Sequence, residues 1–81
     1  MYNLNGVALN LDNELLEKYS ELIGSNLNDT HFNDTLSRLA RIMLKTESFD
    51  KAVDLYGTEI VAKKIMFGIK DELDTFYLER D

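Results

Sequence analysis

Residues 58–79 read TEIVAKKIMFGIKDELDTFYLE, with no proline and with apolar residues recurring at helical spacing. At about 100° per residue, Val61, Ala62, Ile65, Ile69, Leu73 and Phe76 fall on one broad stripe, with Met66 and Tyr77 at its edge. Ile60, Phe67 and Leu78 fall nearly opposite, among Lys63, Lys64, Asp71 and Asp74. A surface helix of a small monomer needs one apolar face, since the other meets water. Two faces predict a long C-terminal helix that packs on its own chain with one side and meets something else with the other. The second stripe is therefore the candidate partner or oligomer interface: Ile60, Phe67 and Leu78, with Lys64 and Asp71 beside them. The alternative is that the first helix or the N-terminal arm covers it. Glu72 lies angularly within the main stripe, so its carboxylate needs either a basic side chain from another helix or access to water. Gly68 sits mid-helix at a cost of about 1 kcal/mol against Ala, which predicts close helix approach, within the chain or across a dimer, or else a local bend.

Working back along the chain, Ser48 is placed to cap a short helix with Phe49, Ala52, Val53 and Tyr56 inward, and Gly57 to end it. A helix beginning at about Thr30 or Asn33 and reaching Lys45 carries Phe32, Leu36, Leu39, Ala40, Met43 and Leu44 on its core face. Asp12 can cap an earlier helix in which Leu15, Leu16, Tyr19, Leu22 and Ile23 share a face, while Glu14, Glu17 and Glu21 face solvent. Gly24 supplies its left-handed stop. Asn5-Gly6 is a strong two-residue hairpin signal, because both residues tolerate positive φ. Residues 1–11 thus form either a small β-hairpin or an extended arm with Val7, Leu9 and Leu11 on one side. A hairpin this small is marginal alone and must lean on the helices or on another chain. The expected fold class is all-α: one domain over residues 1–81, with residues 12–81 forming about four helices in a compact bundle or array.

The stretch from Leu36 to Tyr56 resembles one tetratricopeptide repeat. Leu36, Leu39-Ala40 and Met43 match that family's first helix, and Phe49, Ala52 and Tyr56 its second, with Ala52 at the small position of close approach. Glu47 stands where a turn glycine is usual, Glu59 replaces the next small residue and Lys64 the closing proline. The resemblance covers about a quarter of the chain, and a solenoid needs about three such units. It implies a helical hairpin and carries over no ligand residues.

The whole chain has 81 residues, 44% of them hydrophobic and 30% charged, which suits one folded domain with a thin core that oligomerisation would help. There is no cysteine, so neither disulfides nor thiolate metal sites arise. No apolar run approaches the roughly 18 residues of a membrane span, and no basic stretch precedes an apolar run at the start. The expectation is a soluble, cytoplasmic protein without a membrane role. The net charge of −6 disfavours direct binding to nucleic acid. Nine basic residues are interspersed among fifteen acids, which is too even a mixture to point strongly to nucleic-acid mimicry. Asn28-Asp29-Thr30 and Asn33-Asp34-Thr35 match the glycosylation pattern, but as polar helix-entry residues they need no modification to explain them.

His31 is the single histidine, with Asp34 nearby but no second ligand, so no metal set and no cofactor are expected. Arg38, Arg41 and Lys45 lie at helical spacing on one face, with His31 near, and form the candidate anion site because guanidinium groups hold phosphate or carboxylate bidentately. A helix-turn-helix around Gly57 would put Lys63 where that motif wants an apolar residue and would flank its lysines with Glu59, Asp71, Glu72 and Asp74, which argues against DNA reading. No nucleophile–base pair assembles from the spacing, so an enzyme is not expected. The leading expectation is a small non-enzymatic helical module for protein–protein interaction, a homodimeric or larger regulator or inhibitor of a protein partner. In its size, its many asparagines and its lack of catalytic motifs it resembles small proteins of bacteriophages and other mobile elements. The alternatives are a small-ligand or nucleotide-sequestering module using the basic stripe, and an acidic mimic that blocks a DNA-binding protein.

Overall fold

A computed structural model describes the backbone of residues 1–80 and the side chains of residues 1–76. A two-stranded antiparallel hairpin, β1 (Tyr2–Leu4) and β2 (Val7–Leu9), precedes α1 (Asn13–Ile23), α2 (Thr30–Leu44) and a long α3 (Phe49–Arg80). The fold is thus mostly helical with a long C-terminal helix, as the periodicity indicates, but with three helices where about four are expected. The difference lies at Gly57. Its backbone, at φ 86° and ψ 163°, leaves the helical region for one residue, and the helix resumes at once. The two segments expected on either side of Gly57 are thus present as two helical arms, residues 49–56 and 58–80, that meet at this one non-helical residue with no loop between them. That φ/ψ combination is open essentially to glycine alone. Tyr56, expected inward, is instead exposed, next to the residue at which the helical geometry is broken.

The hairpin form of the N-terminus is the one adopted. Asn5 and Gly6 both take positive φ, at 52° and 84°, as a tight two-residue connection requires. The Asn3 side chain accepts a hydrogen bond from the Gly6 N–H at 2.9 Å. Tyr2 pairs with Leu9 and Leu4 with Val7, which puts Tyr2, Leu4 and Leu9 in the core and leaves Val7 half-buried. The Tyr2 hydroxyl donates to Asn33 Oδ1 on α2 and accepts from the Asn28 N–H. Asn5 Nδ2 donates to Ser37 Oγ at 2.8 Å, also on α2. The hairpin leans on the helices, which is what so short a sheet needs.

Each helix begins where a side-chain oxygen can take its free N–H groups. Asp12 accepts from Glu14 N at 2.9 Å, Asp29 from Thr30 N at 3.1 Å, and Ser48 Oγ from Lys51 N at 3.1 Å. Gly24 closes α1 in the left-handed region, as its type allows. Lys45 closes α2 in the same conformation without being a glycine, and the following Thr46 N–H reaches back to the Arg41 carbonyl at 3.0 Å. The core joins every element. Phe32 is fully buried between two tyrosines, with its ring centroid 6.2 Å from that of Tyr2 and 6.1 Å from that of Tyr19. On α3 the main stripe goes inward: Val61, Ala62, Ile65, Ile69 and Leu73 are buried, with Phe76 more exposed. Gly68 is buried in the same helix. A β-carbon there would lie 3.3 Å from Leu39 Cδ2 and 3.7 Å from Met43 Cγ, so the glycine is explained by close approach to α2 of the same chain.

Candidate functional site

The outer face of α3 carries the second apolar stripe into solvent. Phe67 is 63% exposed and Ile60 44%, and neither α1 nor the hairpin covers them. Together with Lys63 and Lys64 they line a shallow groove of about 340 Å³. The helix sets this arrangement: positions 60, 64 and 67 are three and four residues apart and so stack on one side, with Asp71 a further turn on. Lys64 and Asp71 are exposed. Leu78, the third apolar member expected in this stripe, lies outside the residues whose side chains are described. Lys63 is not among the residues expected to form the interface, yet it borders this groove and also a second one of about 310 Å³ between the hairpin and α3. An exposed phenyl ring surrounded by lysine stems is a surface that gains from being covered.

The basic stripe of α2 is only partly gathered. Arg38 and Arg41 line one open cavity of about 360 Å³ with Ser37, Ser48 and Phe49. Asp34 and Glu47 line it too, so two carboxylates stand against two guanidinium groups and the cavity has no net positive charge to draw an anion. Lys45 and His31 are exposed and do not line it. Ile42, between these basic residues in sequence, is exposed, as is Leu55 on the first arm of α3. Periodicity singles out neither, because an isolated apolar residue on a polar face gives no repeating signal. Among the described residues no group of three histidine, aspartate or glutamate side chains is placed to hold a metal ion. No described helix is long and apolar enough to cross a membrane.

Among the described residues Glu72 pairs with neither a lysine nor an arginine. Its carboxylate stays at the surface, where Oε2 accepts a 2.5 Å hydrogen bond from the hydroxyl of Tyr19, 53 residues earlier on α1. The Tyr19 ring is buried against Phe32. Burial pushes the phenol well above its ordinary value, and the hydrogen bond to Glu72 and its negative charge push the same way, against a smaller opposing pull from Arg38. A raised folded-state value means that this stabilisation is complete below the unfolded phenol's pKa of about 10 and is lost as pH rises from there through the folded value. Tyr19→Phe is expected to cost about 1 kcal/mol at neutral pH. The gap between wild type and variant is then expected to narrow above about pH 10. Urea midpoints on both sides of that pH check this, and an unchanged gap would show that the hydroxyl is not held as described.

Comparison with known proteins finds no matching protein family, no matching curated protein and no matching solved structure. What the chain can do is therefore read from its own surface.

Proposed function

We propose that this chain is a small, non-enzymatic protein–protein interaction module, a self-associating regulator that acts by occluding or bridging a protein partner, and that the outer face of α3 is its contact surface. The observation that carries this reading is Phe67, a large apolar side chain left 63% exposed beside Ile60 on the longest helix of the fold. Lys63 and Lys64 border the same groove, so the surface suits a helical face that offers apolar side chains beside carboxylates. Aromatic residues that anchor in a partner's pocket dominate interface energetics, which makes Phe67 the residue to test. In Phe67→Asp, stability is expected to stay within about 0.5 kcal/mol of wild type, because the side chain gives up little burial. A photo-reactive phenylalanine analogue at position 67 is expected to cross-link to polypeptide in cells, whereas the same group at Glu17 on α1 does not. Unfolding of Phe67→Asp, or equal cross-linking at both positions, would remove the reading.

A further inference from the structure

Asn5-Gly6, which turns the hairpin, is also the one Asn-Gly pair in the sequence; the six other asparagines precede Leu, Glu or Asp. A glycine after asparagine leaves its backbone nitrogen unhindered, and in a freely moving chain that nitrogen reaches the asparagine side-chain carbonyl. Hydroxide takes the Gly6 N–H proton, the nitrogen attacks Asn5 Cγ, and Nδ2 leaves as ammonia. Water then opens the cyclic imide at one of its two carbonyls. One opening gives aspartate. The other gives isoaspartate, in which the main chain runs through the side-chain carbonyl. Both residues of the pair are exposed, so water and hydroxide reach them.

The folded hairpin opposes the ring closure. Two positive φ values in a two-residue loop make a type I′ turn, in which ψ of the first residue is about 30°. At that ψ the Gly6 nitrogen and the Asn5 Cβ stand on nearly opposite sides of the Cα–C bond, whereas the ring needs them on the same side. Hydrogen bonds hold both reacting groups: Asn5 Nδ2 donates to Ser37 Oγ at 2.8 Å, and the Gly6 N–H donates to Asn3 Oδ1 at 2.9 Å. The strands behind the turn are held by the fully buried Leu4 and Leu9 and by the Tyr2 hydroxyl on Asn33.

We propose that Asn5 is a site of spontaneous deamidation gated by the docking of the hairpin on α2, and that its isoaspartate product cannot rebuild the turn. Aspartate fits the same turn, and its carboxylate accepts from the Ser37 hydroxyl. Isoaspartate adds one carbon to the backbone of a two-residue loop, and the length of that loop sets the register of Tyr2 on Leu9, Asn3 on Ala8 and Leu4 on Val7. Release of the hairpin thus opens the chain to a one-way change that keeps it from docking again.

The test follows the full chain in mildly alkaline buffer, native and in urea, with mass spectrometric peptide mapping of residue 5 and circular dichroism to confirm that each native variant is folded. Wild type is expected to deamidate at Asn5 about tenfold or more slowly when native than in urea. Tyr2→Phe touches neither Asn5 nor Gly6, and Ser37→Ala removes a surface bond. Each is expected to speed the native reaction about threefold or more while leaving the rate in urea unchanged. If Tyr2→Phe fails to fold, Ser37→Ala decides. The isoaspartate form, separated by chromatography, is expected to lose the cross-strand contact of Asn3 with Ala8 in nuclear magnetic resonance spectra, whereas Asn5→Asp keeps it. No reaction at Asn5 in urea overturns the site. Equal rates native and in urea, or native rates that the folded variants leave unchanged, overturn gating by docking. An isoaspartate form that keeps the Asn3–Ala8 contact overturns the one-way release.

Discussion

Phe32→Ala is expected to destabilise the protein by about 3–5 kcal/mol. The ring is fully buried and sits between Tyr2 of the hairpin and Tyr19 of α1, so its loss removes apolar burial, leaves a cavity and deletes two aromatic contacts at once, an edge-on one to Tyr2 and a tilted one to Tyr19. A folded domain of this length holds about 4–12 kcal/mol in all, and the variant is therefore expected to be largely or wholly unfolded near its growth temperature. Phe32→Leu keeps most of the volume and is expected to cost about half as much or less. Urea unfolding followed by circular dichroism measures both. A cost for Phe32→Ala below about 1 kcal/mol would mean that the three elements close without this ring.

Gly57→Val is the second change with a large expected effect, about 2–3 kcal/mol. Nothing lies within 4 Å of where a β-carbon would stand, so the cost does not come from a clash. It comes from the backbone, which at φ 86° and ψ 163° has no well for a branched L residue. The escape available to the variant, turning residue 57 helical, straightens α3 and draws the buried Phe49 and Ala52 away from the core, which costs apolar burial instead. Gly24→Ala serves as the comparison. At φ 68° and ψ 33° an alanine enters the left-handed helical region for about 1 kcal/mol. Denaturant midpoints should rank wild type above Gly24→Ala and Gly24→Ala above Gly57→Val. A Gly57→Val protein as stable as wild type would mean that the kink is not imposed by the fold.

The helices and their inner faces were legible because burial leaves a periodic trace. Val61, Ala62, Ile65, Ile69 and Leu73 repeat at helical spacing, and all five are buried. Asp12, Gly24 and Ser48 were legible because each terminus has a chemical requirement that few residue types meet. Asn5-Gly6 announced the hairpin for the same reason. What sequence periodicity could not supply was anything decided between distant positions. The partner of Glu72 is a tyrosine 53 residues away, and nothing local selects it over a lysine. Gly57 was legible as the break between two helical arms, but the abruptness of the joint was not, since glycine alone does not say which positive-φ conformation it takes. The candidate surface was half legible: the wheel placed Ile60 and Phe67 together, while their freedom from cover depended on where α1 and the hairpin came to rest. The basic stripe of α2 read as one cluster, but the fold splits it by bringing Glu47 up to Arg38 and Arg41 while Lys45 and His31 stay outside.

The anchoring of the hairpin on α2 bears on how the chain is made. Synthesis delivers residues 2–9 well before the groups that hold them: Asn33 is 31 residues beyond Tyr2, and Ser37 is 32 beyond Asn5. Until those residues have left the ribosome, a two-stranded ribbon of this size has no surface to rest on and little reason to persist. The hairpin is thus made before the helix that fixes it in place. Order of manufacture and order of assembly run in opposite directions, and the hairpin acts as the clasp that fastens the helices made after it.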